Sequence, residues 1–154
     1  MATSNLTPLH VFRFRVEVAD DSLDSGPSGP SVELSFAECT GLEATMEPKS
    51  IKEGGRNYGT AQRPGGVTFA TVVLKRGVCA DQSIWQIFNT TTTGQFAPRL
   101  QVTITLLDGT MTPVLTWQLA HAMPVKYKFA DLNGKATEVG IEELHFVHEG
   151  LLAV

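Results

Sequence analysis

Alternating apolar and polar residues predict that this chain is built mainly of β-strands. The alternation is strict in residues 11–18 and 100–106, so each of these segments is expected to bury one face and expose the other. Other apolar runs are rich in the β-branched and aromatic residues that favour strands. The predicted strands comprise residues 11–18, 32–38, 42–46, 67–74, 100–106, 114–119 and 137–147.

The two strictly alternating segments each combine an apolar face with a polar one. Successive side chains of a strand point to opposite faces, so the apolar set is expected to pack in the core. The polar set is then free to contact water or another molecule. The inward residues are Phe12, Phe14, Val16, Val18, Leu100, Val102, Ile104 and Leu106, and the outward residues are Arg13, Arg15, Glu17, Gln101, Thr103 and Thr105.

One short helix is predicted, over residues 81–89. Asp81 is placed to cap its start, because a carboxylate can accept one of the free backbone N–H groups there. Residues 90–94 are four threonines and a glycine, and they are expected to end the helix. The apolar stripe at helical spacing, which is expected to face the core, consists of Ile84, Trp85, Ile87 and Phe88.

Two segments are too poor in apolar residues to form core elements. Residues 20–31 are rich in glycine, proline and serine and are expected to be a flexible insertion. Residues 49–66 contain five glycines, one proline and four basic residues, which predicts a long loop that protrudes as an arm. Residues 122–127 are interpreted as a bend followed by an edge segment.

The pattern as a whole predicts a mainly β fold. About seven short strands with turn signals between them, such as Asp108-Gly109 and Asn133-Gly134, are typical of a β-barrel or sandwich. One short α-helix is expected to flank it, and the arm to protrude from it. At 154 residues the chain is expected to form a single domain over residues 1–154.

Composition narrows the class of protein. The net charge of −4 argues against a dedicated nucleic-acid binder, which would usually be basic. Cys39 and Cys79 match no disulfide framework or zinc ligand set, so two free thiols are expected. Residues 1–8 lack the features of a signal peptide, and no apolar run approaches a membrane span, so the chain is predicted to be cytoplasmic at synthesis.

No residue pattern predicts catalysis, a metal site or a cofactor. His145 and His148 are three residues apart on a predicted strand and would point to opposite faces, so they are not expected to share an ion. Two glycine pairs, Gly54-Gly55 and Gly65-Gly66, could suggest phosphate binding, but the chain contains neither GxxxxGK(S/T) nor GxGxxG. The chain is therefore not expected to be an enzyme.

Seven short motifs follow one another along the chain: residues 12–16 (FRFRV), 36–43 (FAECTGLE), 53–57 (EGGRN), 74–77 (LKRG), 84–88 (IWQIF), 117–126 (WQLAHAMPVK) and 141–151 (IEELHFVHEGL). Each motif alone is weak, but their order and spacing together are specific. Together they resemble the tail tube family of contractile bacteriophages and of phage-tail-like contractile injection systems. The haemolysin-coregulated protein of type VI secretion is a structural relative of that family.

The resemblance implies a structural subunit with no cofactor. Six copies would form a ring, and stacked rings would form the hollow inner tube of a virion tail or injection particle. The implied partners are the chain itself and sheath, baseplate and tail-terminator proteins. DNA or protein cargo would pass through the lumen without specific binding, and no membrane anchor is implied.

The resemblance also suggests which residues make contacts. Both polar strand faces are lumen candidates, and the sequence does not choose between them. Residues 49–66 would be an inter-subunit arm, with a disordered surface loop as the alternative. The expected inter-subunit contacts are Lys52, Glu53, Gly54, Gly55, Arg56, Asn57, Arg63, His148 and Glu149.

Three other functions stay open at this point. The chain could be a tube-initiator paralogue next to the baseplate, or a ring protein that carries effectors in the manner of type VI secretion. A small hydrolase or binding domain on a β-scaffold is the third alternative. Discrete rings that release from the machine would favour the effector carrier, and a monomer with a defined ligand pocket would favour the last.

Overall fold

The computed structural model describes residues 9–11, 13–20, 32–93 and 99–154. These residues form strands and a single helix, as the mainly β prediction required. The insertion was predicted at 20–31, but Asp20 is the last residue of the first strand. Residues 21–31, Phe12 and Gly94 lie outside the described residues. The elements are β1 (Phe14–Asp20), β2 (Val32–Leu34), β3 (Glu38–Thr40), β4 (Ala44–Met46), β5 (Lys49–Ile51), β6 (Ala61–Arg63), β7 (Val67–Phe69), β8 (Val72–Gly77), α1 (Ser83–Thr93), β9 (Leu100–Leu107), β10 (Pro113–Lys128), β11 (Ile141–Val147) and β12 (Gly150–Ala153).

One large antiparallel sheet forms the body of the molecule. Its strand order is β2-β1-β9-β10-β11-β8-β3, and β12 pairs with β10. The sheet is not closed, because β2 and β3 lie at its two ends without pairing to each other. The architecture is therefore an open, curled sheet with one helix, which confirms the mainly β fold class but not a closed barrel.

Both halves of the sheet contribute to a single core. The alternation predicted for β1 and β9 is observed as far as Ile104, with Val16, Val18, Val102 and Ile104 buried. Beyond Ile104 it breaks down, because Leu106, which was expected to face inward, is only half-buried and Leu107 is buried instead. Thr105 was expected to face outward into solvent, but it is buried between its direct neighbours, Arg15 on β1 and Thr116 on β10. The core residues are Val16, Val18, Leu34, Val72, Leu74, Ile84, Leu100, Val102, Ile104, Leu119, Ala122, Leu144 and Phe146.

Strand β10 is longer and more central than the sequence indicated. It runs for 16 residues, pairing first with β9 and β12 and then with β11. Its register shifts between Leu119 and Ala122, where His121 adopts a positive φ of 49°. The bend predicted at 122–127 is thus a bulge region inside one continuous strand, not a break between two segments.

Two predicted strands are each divided in the structure. Residues 32–38 form β2 and then leave the strand, and Glu38 begins β3 at the far end of the sheet. Residues 67–74 divide into β7 and β8, which belong to different sheets. The chain turns at Gly41, whose φ is +91° and whose added Cβ would lie 2.1 Å from the Thr71 carbonyl oxygen. Only glycine fits such a position without displacing backbone.

The helix begins as predicted but ends four residues later. The Asp81 carboxylate accepts hydrogen bonds from the Ser83 N–H and hydroxyl, at 3.0 and 2.7 Å. Both bonds hold the pKa of Asp81 below its ordinary value. The threonines do not end the helix: Thr91 and Thr93 each donate a hydroxyl hydrogen bond to the carbonyl four residues back. The hydrogen-bonding capacity of these hydroxyls is therefore met by backbone carbonyls of the same helix.

The C-terminal residues form a strand that the sequence analysis did not predict. The last predicted strand, 137–147, starts only at Ile141. After two residues the chain continues as β12, which pairs with β10 in the register Trp117↔Ala153 to Ala120↔Gly150. The apolar tail is therefore part of the sheet.

A buried ion pair closes one end of the core. Arg76 on β8 and Glu142 on β11 are directly opposite partners, with only 7% and 3% of their surfaces exposed. The Arg76 Nε–H donates to Glu142, and its Nη2 donates to the Asp81 carbonyl at 2.8 Å. The Tyr127 hydroxyl donates to the second Glu142 oxygen at 2.9 Å. Strands β8, β10 and β11 and the start of the helix thereby meet at one cluster.

The electrostatics of this cluster favour its charged form. Burial lowers the pKa of Arg76, but the hydrogen bond and negative charge of Glu142 outweigh burial, so the pKa is raised. Burial and the same carboxylate raise the pKa of Tyr127 to about 12. Tyr127 therefore stays a protonated donor at neutral pH.

Removing one partner of this pair is expected to cost more than removing both. Arg76→Met leaves the Glu142 carboxylate buried without its cation, which typically costs about 3–5 kcal/mol. Urea unfolding followed by circular dichroism measures the loss. The double variant Arg76→Met/Glu142→Gln carries no buried charge and is expected to recover part of it. A double variant no more stable than Arg76→Met would contradict the assigned pairing.

Cys39 is expected to make the fold sensitive to alkali. Burial raises the pKa of its thiol from 9.0 to about 11. A raised pKa means that the stability from keeping the thiol protonated is complete below pH 9 and is lost as pH rises towards 11. Unfolding in urea at pH 8 and pH 11 should show a smaller loss for Cys39→Ala than for the wild type, by on the order of 2 kcal/mol. Cys79→Ala, at an exposed position, is the matched control, and an equal loss in all three proteins would refute the assignment.

Candidate functional site

The two polar strand faces predicted from the sequence form one continuous surface. Strands β1 and β9 are antiparallel neighbours, with Arg15 opposite Thr105, Glu17 opposite Thr103, and Ala19 opposite Gln101. Directly opposite residues of a sheet share a face. Strand β10 extends the surface by placing Thr116 beside Thr105 and Gln118 beside Thr103. The sequence left open which of the two polar faces would line a lumen. In the structure they are one face, so no choice between them is needed.

This polar face carries few free charges. The Arg15 Nε atom lies 3.1 Å from a Glu17 carboxylate oxygen. The Arg13 Nη1 donates to the Gly109 carbonyl oxygen at 2.9 Å, which ties it to the β9–β10 turn. The remaining residues are mainly threonine and glutamine. The face thus offers hydroxyls and amides rather than a strong field of one sign.

The sheet that carries the polar face has open edges. Among the described residues, β2 pairs only with β1, β3 only with β8 and β12 only with β10. Apolar side chains are exposed at or next to β2 and β12, namely Val32, Leu152 and Val154. Unpaired edges of this kind are templates for pairing with another chain.

The segment predicted as a long loop is a β-hairpin. Within the arm (residues 49–66), Lys49, Ser50 and Ile51 of β5 pair with Arg63, Gln62 and Ala61 of β6. Below it, β4 pairs with β7 from Ala44↔Phe69 to Met46↔Val67, and these two strands form the arm base. Both ladders are separate two-stranded sheets. Strands β4 and β7 lie within the predicted strands 42–46 and 67–74, whereas β5 and β6 were not predicted, because each is only three residues long.

A glycine joins the two ladders of the arm. The Glu47 N–H donates to the Gly66 carbonyl at 3.1 Å. A Cβ on Gly65 would lie 1.9 Å from the Glu47 carbonyl oxygen, so this close approach of backbones requires glycine. The glycines near the tip, Gly55 and Gly59, have positive φ angles of 84° and 74°. The glycine content that predicted a loop instead serves a tightly folded hairpin.

The tip of the arm holds most of the predicted contact residues. Lys52, Gly54, Gly55 and Asn57 lie in the exposed loop 52–60 together with Glu53 and Arg56. Glu53 and Arg56 pair with each other at 3.5 Å, so their charges are already matched within the tip. Tyr58, which the sequence analysis did not select, is 93% exposed. A large aromatic side chain left in water at a loop tip is available to a partner.

The remaining predicted contact residues lie elsewhere. Arg63 is on β6, in the arm's ladder. His148 and Glu149 lie between β11 and β12, and the His148 ring packs 5.1 Å from the ring of Phe69 at the arm base. The Glu149 N–H donates to the Ala120 carbonyl at 3.0 Å. The structure therefore places His148 beside the arm base, away from the tip.

The two histidines considered as metal ligands, His145 and His148, have separate hydrogen-bond partners. His145 Nε2 lies 3.1 Å from Glu143, and His148 Nδ1 lies 3.0 Å from the Gly150 carbonyl oxygen. The hydrogen bond from His145 holds the pKa of Glu143 below its ordinary value, with help from the charge of Lys75. Within the ranges that the structure describes, no group of three or more potential metal ligands is found. The same ranges contain no helix that is long and apolar enough to cross a membrane.

Comparison with known proteins places the chain in a family. The family model described as T4-like virus tail tube protein gp19 matches residues 10–152. No curated protein sequence matches the chain. The match extends over all the motifs that suggested a tail tube protein.

Solved structures show the same architecture. A chain in the anti-feeding prophage (AFP) baseplate, determined by cryo-electron microscopy with six-fold symmetrisation, is 26% identical, with a TM-score of 0.82 and 96% of both chains covered. A chain of the PVC extracellular contractile injection system, in its sheath–tube complex, is 17% identical, with a TM-score of 0.78 and coverage of 97% of this chain and 93% of that one.

A more distant relative has a similar fold. An Hcp protein is 12% identical, with a TM-score of 0.57 and 91% of both chains covered, and shares the fold alone. Since the family model spans nearly all of the sequence, the chain belongs to the family of the T4-like virus tail tube protein gp19 and is a structural tail tube protein of the contractile type.

Proposed function

We propose that six copies of this chain form a ring and that rings stack into the hollow inner tube of a contractile tail or injection particle. The AFP baseplate that contains a similar chain was analysed with six-fold symmetry, which supports this ring size. The subunit has a purely structural role in this proposal. Catalysis plays no part in it.

The arm is the observation that carries the proposal. Among the described residues, the two strands of each ladder pair only with each other, and an isolated two-stranded hairpin is marginally stable in water. The exposed partners Met46 and Val67 at its base, and Tyr58 at its tip, would remain in water in a monomer. Contact with a subunit of the next ring would cover them. The arm therefore fits an inter-ring connector better than a free surface loop.

The polar face is suited to line the lumen. Threonine, glutamine and the paired Arg15 and Glu17 present hydrogen-bonding groups with little net charge. Such a wall stays wetted and holds neither DNA nor a protein chain strongly. Cargo of either kind would pass without specific binding.

The open edges are suited to close the ring. Burying β2 and β12 against neighbouring subunits would pair their free backbone groups and cover Leu152 and Val154. Barrels remove edge strands by closure, and a ring of open sheets can do the same collectively. The missing closure within one chain is thus completed by copies of itself.

The proposed partners follow from the relatives. The similar chains occur in a sheath–tube complex, a baseplate, a tube-terminating cap and a sheath/tube terminator. We therefore infer that sheath, baseplate and terminator proteins contact this tube. The assembled protein would be part of a phage tail or an injection particle.

A second candidate is the tube-initiator ring beside the baseplate. It is favoured by the 26% identity to a chain of the AFP baseplate, which exceeds the 17% identity to the chain in the PVC sheath–tube complex. The type VI-like effector carrier has less support, because the Hcp likeness concerns the fold alone. Length of assembly separates the candidates, since an initiator forms single rings and a main tube subunit forms long stacks.

Electron microscopy of the purified protein is expected to show rings of six subunits that stack into tubes as concentration rises. A variant in which residues 49–63 are replaced by an Asn-Gly turn should keep the ring and lose stacking, because it lacks the connector. Solution mass and negative-stain images measure both properties, and circular dichroism confirms that the body is folded. Tubes of unchanged length in the shortened variant would refute the role of the arm. A strict monomer at every concentration would refute the ring.

A further inference from the structure

Two basic side chains face each other across the arm's ladder. Lys49 of β5 is the direct partner of Arg63 of β6, and both residues are exposed. Like charges directly opposite each other in an antiparallel pair destabilise it. Neither side chain has an ion-pair partner within the described parts of the chain. The pair, which we call the basic rung, thus weakens the hairpin that carries it.

The rung differs from the other charges of the arm. Glu53 and Arg56 neutralise each other at the tip, whereas no acidic side chain among the described residues pairs with the rung. The arm contains four basic residues and a single acidic one, although the whole chain has a net charge of −4. An arm of positive charge therefore projects from a body of negative charge.

A second copy of the chain supplies the complementary groups. Several carboxylates of the body are exposed and have no ion-pair partner among the residues described. A nucleic acid is a poorer fit, because the acidic body would repel its phosphates and two cations give only a weak contact. These unpaired carboxylates are Glu33, Glu38, Glu43, Glu138 and Glu149.

We propose that the basic rung, Lys49 with Arg63, is the recognition element of the arm and that it docks onto carboxylates of a second copy. The inference rests on the proposed tube function and names the groups that make its inter-ring contact. Docking would replace the repulsion between the two cations by attraction to the partner. The rung would also discourage a free arm from pairing with other arms of like charge.

The charge reversal Lys49→Glu separates folding from recognition. The new glutamate would lie opposite Arg63 and attract it, so the hairpin should become more stable. The same change removes the rung's double positive charge, so the concentration needed for tube assembly should rise about tenfold or more, as expected for losing an interfacial charge contact. Thermal unfolding of dilute protein and light scattering at rising concentration measure the two effects. Unchanged assembly would overturn the proposal.

Lys135→Glu is the matched control. It makes the same change in net charge on an exposed residue of the connection between β10 and β11, outside the arm. Its assembly concentration should stay within about twofold of the wild type, since exposed charges away from a contact contribute little. A loss equal to that of Lys49→Glu would show that only the overall charge of the chain matters, and it would overturn the specific role of the rung.

Cross-linking identifies the acceptor. A carbodiimide joins a lysine amine to a carboxylate in direct contact, and mixing isotope-labelled with unlabelled protein marks links between copies. Lys49 is expected to link to a glutamate or aspartate of the other copy in assembled tubes, and the link should disappear at high salt together with the tubes. Links confined to one copy would overturn the proposal. If wild-type protein forms no rings or tubes, the tube function itself fails, which is distinct from normal tubes without the Lys49 link.

Discussion

The fold depends on one long strand, β10, because two other strands, β12 and β11, pair with successive parts of the same side of it. Strand β10 pairs with β9 on one side, and on the other side first with β12 and then with β11. The bulge near His121 re-aims the strand between these partners. The part of the sheet around β9 and the part around β11 can therefore pack on one core, while β10 still connects them. The polar face, the open edges and the arm all take their positions from this arrangement.

The exposed edges and the arm share one property: in a single subunit their strands lack pairing partners or their apolar side chains lack cover. Among the described residues, β2 and β12 each pair with a strand on one side only, and the arm base leaves Met46 and Val67 exposed. The body, by contrast, buries a single apolar core, and its buried charges Arg76 and Glu142 have partners. Stability is thus concentrated in the part that must stay rigid in a tube. Incompleteness is concentrated where copies would meet.

The buried cluster at Arg76 shows why charged residues in a motif do not imply chemistry. Arg76 and Glu142 belong to the segments that suggested the family, and neither is free to act on a ligand. Their side chains are committed to each other, to Asp81 and to Tyr127. The cluster ties the start of α1 to three strands, which fits a structural protein.

The sequence by itself determined the local properties of the chain: the strict alternation of β1 and β9, the cap at Asp81, the turns at Asp108 and Asn133, and the family motifs. These depend on neighbours along the chain, so periodicity reveals them. Only the tertiary structure decided that the two polar faces are one, that β12 joins β10, that Arg76 meets Glu142 and that Lys49 stands opposite Arg63. Each of these is a pairing between distant residues, and pairing is fixed by the packing of the whole sheet rather than by any local pattern.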